Sequence, residues 1–243
     1  MITRALALCC LALGSPAAAQ CRQALALGLD VSGSVDSNEY RLQLDGLAAA
    51  LQRPEVERLI LSNPEATVRI SVFEWSEAGF QRLLVGWTDI RSPTDLSGIA
   101  QRLQSTRRSS APQGTAVGSA MQYGADLLDA QAACWKRTLD LSGDGKHNVG
   151  LHPREAKAQL QATGITINGL VIGADDPSTG DKRYVQIGEL SAYYNAWVIL
   201  GPGAFVETAL GFEAYEDAMT RKLIRELDSL ALSQVLPLNG ESQ

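Results

Sequence analysis

From Gln23 onward, short apolar runs of strand type alternate with stretches whose apolar residues recur every three or four positions. That alternation is the strongest constraint on the fold, because a period of two suits a strand and a period near 3.6 suits a helix. Strands are expected over Gln23–Val31, Thr67–Trp75 and Arg82–Trp87, the last two joined as a hairpin around Gly79, and over Arg137–Leu141, Ile165–Ile172 and Ala196–Leu200. Between them, Asp36 and Glu39 have capping-box spacing ahead of a helix whose face is Tyr40, Leu44, Leu47 and Leu51. Further helices are expected over Ser97–Leu103, Thr115–Ala130, Pro153–Ala162, Lys182–Ala192 and Val206–Leu230. The order implies an α/β fold: one doubly wound, mostly parallel six-stranded sheet with an antiparallel edge strand and helices on both faces.

The N-terminus reads differently. Arg4, the apolar run Ala5–Leu13, then Pro16 and three alanines have the layout of a secretory signal cut after Ala19. The run is too short to span a bilayer. Residues 20–236 are then one domain, with a loose polar tail over 237–243. An exported, soluble protein, periplasmic or secreted, is expected. With a net charge of −6 and no basic cluster longer than Arg107-Arg108, neither nucleic acid nor membrane insertion is expected of it.

The first strand ends in "LDVSGSVDSNEY". In extended chain alternate residues share a side, so Asp30, Ser32 and Ser34 can aim their oxygens at one point. Two more polar groups belong at the same carboxyl edge of the sheet, where open α/β folds bind ligands: Thr115 after Gly114, and Asp144 in "SGDG". Two carboxylates and three hydroxyls are hard donors, suited to Mg²⁺ or Mn²⁺, with Ca²⁺ behind them. Neutral hydroxyls leave the ion much of its charge, so an open coordination position would attract a carboxylate.

Asp-x-Ser-x-Ser after the first strand, a Thr after a Gly, and Asp-Gly after the fourth strand resemble the von Willebrand factor A domain and its metal-ion-dependent adhesion site. "DVSGSVD" and "LSGDGKHN" are similar to an exported single-domain bacterial branch of that family whose function is open. The resemblance implies direct metal contact from Ser32, Ser34 and Thr115. It implies water-mediated contact from Asp30 and Asp144, and a sixth position for a partner's Glu or Asp. It also makes the first and fourth strands parallel neighbours. Cys21 and Cys134 then lie at similar depth, within reach of a disulfide at the end away from the metal.

Other readings compete. Asp140 in "TLDLSGDG" departs from the family's unbroken apolar strand, and a strand carboxylate is costly unless paired. It is a candidate, with Ser142, for holding the metal's ligands from behind without touching the ion, or a replacement for Asp144. Thr115 alone has the makings of a helix N-cap. Asp140-x-Ser142-x-Asp144-Gly145 opens like an EF-hand loop, but Leu151 occupies the position that needs a bidentate Glu. Arg107, Arg108, Lys146 and His147 are a candidate rim for an acidic partner. His147 and His152 otherwise read as solvent-facing, and Tyr193, Tyr194 and Trp197 as packing beside the sixth strand. A phosphatase of the haloacid dehalogenase type would use Asp30 with Asp175-Asp176, yet Ser32 stands where its general acid belongs. No nucleophile elbow, dinucleotide fingerprint or Walker motif occurs. The expectation is a non-enzymatic module that captures an acidic side chain of a partner protein, against the alternative of a scaffold whose metal merely orders its loops.

Overall fold

The computed structural model of the chain describes residues 20–173 and 183–235. The expected signal over 1–19, Asp175, Asp176, Lys182 and the tail from Pro237 lie outside them. The described elements are β1 (Gln20–Asp30), α1 (Ser37–Leu51), α2 (Pro54–Ile60), β2 (Ala66–Trp75), β3 (Gln81–Ile90), α3 (Pro93–Ser105), α4 (Val117–Asp129), β4 (Lys136–Gly143), α5 (Pro153–Leu160), β5 (Thr166–Ile172), α6 (Arg183–Trp197), β6 (Val206–Ala209) and α7 (Tyr215–Val235). The sheet runs β3-β2-β1-β4-β5-β6. Its strand pairs are parallel except β2 with β3, the expected hairpin, where Gly79 supplies a positive φ of 86°.

β1 shows why the sheet has two covered faces. Leu25, Leu27 and Leu29 point into one core with α1, α3 and α7, whereas Cys21, Ala24 and Ala26 point into another with α4, α5 and α6. Small residues on the second face let α4 sit close. Strand register makes the carboxyl edge level: Asp30 lies opposite Trp75 on β2, and Leu29 opposite Ser142 on β4. Asp30 is thus level with Gly143 and one residue from Asp144.

At the opposite edge, Cys21 and Cys134 form a buried disulfide, and the Trp135 N–H donates to the Cys21 carbonyl. The capping box of α1 also forms: Asp36 accepts from the N–H groups of Asn38 and Glu39, and Glu39 accepts from that of Asp36.

The sixth strand is a correction. Residues 196–200 are not a sheet strand; they hold the end of α6, with Leu200 making only an isolated antiparallel bridge to Ile167. Leu190, Tyr194 and Val198 are all buried, so the helical period prevailed over local aromatic and β-branched content. Val206–Ala209 is the real β6, reached through a turn with Gly201 and Gly203 at positive φ. The last helix accordingly begins at Tyr215 rather than Val206. Helix α2, opened by Pro54 at its first turn, was not expected from the pattern.

Candidate metal centre

Four loops at the carboxyl edge are stitched to one another. The Gly33 N–H donates to the Gln113 carbonyl (3.0 Å), and the Ala116 N–H to the Ser76 carbonyl (2.7 Å). The Thr115 N–H donates to Asn148 Oδ1 (2.8 Å), while the Asn148 N–H returns to the Thr115 carbonyl (3.1 Å). Gly114 permits this closeness, since a Cβ there would meet Val149 Cγ1 at 2.5 Å and Glu77 Cγ at 2.6 Å. The loop leading to Thr115 is pinned from below. Ser109 and Arg82 donate to the buried Glu74 carboxylate, and Tyr40 donates to its other oxygen.

The expected residues converge. Asp30 is fully buried, its Oδ1 accepts from the Ser32 N–H (2.8 Å), and its backbone carbonyl accepts from Gln43 Nε2. Ser32 Oγ lies 3.2 Å from Ser34 Oγ, and Ser34 Oγ donates to Asp144 Oδ1 (2.7 Å). Thr115 Oγ1 and Ser34 Oγ lie 3.7 Å and 4.0 Å from the point where a Cβ on Gly145 would stand. Ser34 is exposed and Asp144 half-buried, so the cluster opens to solvent on that side. Thr115 is not an N-cap: α4 begins at Val117 after Ala116, and no side chain caps it. Its hydroxyl is free of that duty.

Burial drives the Asp30 carboxyl well above the usual carboxylate range, and neighbouring Asp144 drives it further; the hydrogen bonds from Ser32 offset only part. Burial raises Asp144 as well, against the hydrogen bond from Ser34. Among the described residues, no lysine or arginine forms an ion pair with either carboxylate. Asp30 Oδ2 is buried and has no hydrogen-bond partner. Three hydroxyls and two carboxylates, one of them with an orphaned inner oxygen, fit a hard divalent cation. Among the described residues no cluster of three His, Cys, Asp or Glu side chains forms, so hydroxyls must supply much of any coordination here.

The remaining candidates are placed apart from this cluster or at its margin. Asp140 is ion-paired to Lys222 of α7 (2.9 Å), and Ser142 Oγ hydrogen-bonds Tyr215 Oη (3.0 Å). Lys146 pairs with Glu189 (3.1 Å), across a cavity of about 220 Å³ that Asp144, Ile172 and Leu190 also line. His147 stacks edge-on to His152, whose ring in turn meets Trp197. Arg108 lies over the Tyr40 ring, and the Arg107 carbonyl accepts from Arg82. Tyr194 and Trp197 belong to α6 and not to the start of a strand, and Tyr194 is core packing as expected. Sequence reasoning missed Asn148, although it stands inside "LSGDGKHN"; an Asn four residues after the acidic candidate was the available signal.

Residues 20–231 match the family described as protein of unknown function (DUF1194). The chain belongs to this family. None of the curated proteins compared matches the chain. Among solved structures, this DUF1194 chain resembles proximal thread matrix protein 1 from the mussel byssus, at 18% identity and a TM-score of 0.58 over 86% of this chain and 47% of that one. It resembles a von Willebrand factor type A protein from Catenulispora acidiphila at 14% identity and a TM-score of 0.57, covering 85% and 43%. It also resembles the vWF domain of the type V pilus tip protein Mfa5 from Porphyromonas gingivalis at 12% identity and 0.53, covering 93% and 99%. The DUF1194 chain therefore spans less than half the length of the first two and nearly all of the third. Its fold is that of the von Willebrand factor A domain. One structure of the mussel protein has a zinc-occupied MIDAS motif.

Proposed function

We propose that the protein is an extracytoplasmic binding module that captures an acidic side chain of a partner protein through a divalent cation, and that it is not an enzyme. The observation that carries this reading is the placement of Asp30 beside Asp144 at the sheet edge, both with raised affinity for protons and neither paired with a cation among the described residues. The zinc-occupied motif of the similarly folded mussel protein supports a divalent ion in this place.

Ser32, Ser34 and Thr115 would hold the ion directly, and Asp30 and Asp144 through water. The ion would supply an open coordination position for a carboxylate. Asp144, rather than Asp140, is the acidic residue of the set, because Ser34 donates to it while Asp140 is committed to Lys222. Asn148 fixes the Thr115 backbone, and the Ser32 N–H orients Asp30. Mg²⁺ or Mn²⁺ suits this donor set best. Arg107, Arg108, Lys146 and His147 line the approach for an acidic partner. The buried disulfide fits an oxidising compartment, as the N-terminal signal pattern requires. Among the described residues no helix is long and apolar enough to cross a membrane.

Calorimetric titration of the mature protein with Mg²⁺ and Mn²⁺ tests the reading. Binding by wild type that vanishes in Asp30→Ala, Ser34→Ala and Asp144→Ala, with circular dichroism unchanged, is the expected result. No binding by wild type at millimolar metal would overturn it.

A further inference from the structure

A second residue set lies directly beneath the cluster. Gly143 on β4 and Gly169 on β5 form a slot for the ring of Tyr194, which is fully buried on α6. A Cβ on Gly169 would meet Tyr194 Cδ1 at 2.7 Å, so the ring lies flat against that strand. A Cβ on Gly143 would meet Tyr194 Oη at 2.6 Å, Asp30 Oδ2 at 3.1 Å and Trp75 Cζ2 at 3.5 Å; these are its three nearest neighbours. Two glycines on adjacent strands thus deliver a phenol to the inner oxygen of Asp30. Tyr194 Oη, Asp30 Oδ2 and Trp75 Nε1 are all buried, and none of the three has a hydrogen-bond partner.

Buried polar atoms are almost always paired, directly or through an ordered water. Here a buried carboxyl oxygen lies near a phenolic O–H, and the indole that flanks them both carries an N–H. The hydroxyl and the carboxylate oxygen are at most about 6 Å apart, the span of two hydrogen bonds through one water at about 2.8 Å each.

Resting on the metal-site reading, we propose that Tyr194 is a positioning residue of that site: its hydroxyl, across the space kept by Gly143, holds the inner oxygen of Asp30 through one water and so sets Asp30 for cation binding. Trp75 Nε1 assists from β2. Outer groups of this kind orient a ligand without touching the ion, and their loss costs about 10- to 100-fold in metal affinity. A Tyr chosen merely to fill space would not need its hydroxyl. Phe would occupy the same slot and bury no polar atom.

The test is Mn²⁺ affinity, followed by electron paramagnetic resonance titration, in wild type, Tyr194→Phe and Gly143→Ala, with unfolding of the metal-free forms measured in parallel. Tyr194→Phe should weaken Mn²⁺ binding about 10-fold or more while the metal-free unfolding midpoint holds or rises. Gly143→Ala places a methyl between the hydroxyl and the carboxylate and should weaken Mn²⁺ binding similarly even with Tyr194 intact. Should Tyr194→Phe bind Mn²⁺ like wild type, Tyr194 is packing alone and this inference falls while the metal site stands. Should wild type itself fail to bind Mn²⁺, the metal-site reading falls and this inference with it.

Discussion

Strand β4 leads into two acidic clusters that are settled in opposite ways. Midway along it, Asp140 meets Lys222, and Lys222 also pairs with Glu226 at 2.7 Å; all three are buried. Asn168 donates to the same Glu226 and accepts from the Phe205 N–H, closing the network from β5. At the end of β4, Asp144 faces Asp30 with hydroxyls between them and no cation from the described residues. Both clusters place carboxylates in or near a low-dielectric interior, where an unbalanced charge is expensive. One carries its positive charge on α7. The other has no such partner among the described residues, and on the proposed reading it takes its positive charge from a bound cation.

The sharpest way to break this comparison is to remove the internal cation. Lys222→Met should destabilise the protein by about 3–5 kcal/mol, because two buried carboxylates lose the ammonium they share; urea unfolding would measure it. Asp30→Asn, by contrast, should leave metal-free stability unchanged or raised, since it relieves repulsion with Asp144. A large loss for Asp30→Asn would mean that the upper cluster is structural after all.

The disulfide gives the next effect in size. Cys21→Ser with Cys134→Ser should cost about 2–4 kcal/mol, with the exact share model-dependent. The same variant should bind Mg²⁺ like wild type, because the bond lies at the far end of β1 from Asp30. A third difference is conditional on metal. At an Mg²⁺ concentration 100 times the Kd, wild type should gain about 2.7 kcal/mol, and Asp30→Asn and Asp144→Asn should gain nothing. A destabilised but folded Lys222 variant should keep that gain.

The smallest effect concerns pH. Burial, with Glu226 adding and Lys222 opposing, lifts the Asp140 carboxyl to about 7. Its folded form holds a proton more tightly than the unfolded chain does. Its contribution is therefore full below the ordinary carboxylate range and declines as pH rises towards and through about 7. At saturating Mg²⁺, to hold the upper cluster constant, wild type should lose stability between pH 5 and pH 8 on the order of a kcal/mol. Asp140→Asn should flatten that slope, as unfolding at the two pH values would show.

The upper cluster was legible because its geometry is local. Asp30, Ser32 and Ser34 need only an extended segment, and the strand register supplies Asp144 at the same edge. The α/β class followed from the same alternation, whereas the disulfide pairing came from the strand order that the von Willebrand factor A resemblance implies. The lower cluster was legible only by half. Asp140 stood out as a carboxylate in a strand, but its partner lies 82 residues on, on a helix whose buried stripe of Tyr215, Met219, Lys222 and Glu226 has ordinary apolar spacing. A lysine there reads as surface until the helix is packed. The same long-range dependence hid Tyr194: "AYYNAWVIL" suits a strand locally, and only the burial of Leu190, Tyr194 and Val198 together makes it a helix.

The disulfide has one more consequence, in how the molecule would respond to being cut. Its two cysteines are 113 residues apart, and that loop contains Asp30, Ser32, Ser34 and Thr115 but not Asp144. A protease cutting once in the exposed stretch around Ser110 to Gln113 would part the chain between Ser34 and Thr115, yet leave both pieces on one covalent frame. Such a nicked protein runs as a single species until reductant is added. On the proposed extracytoplasmic reading, in a compartment that leaves disulfides intact, one cut is then a wound rather than a loss.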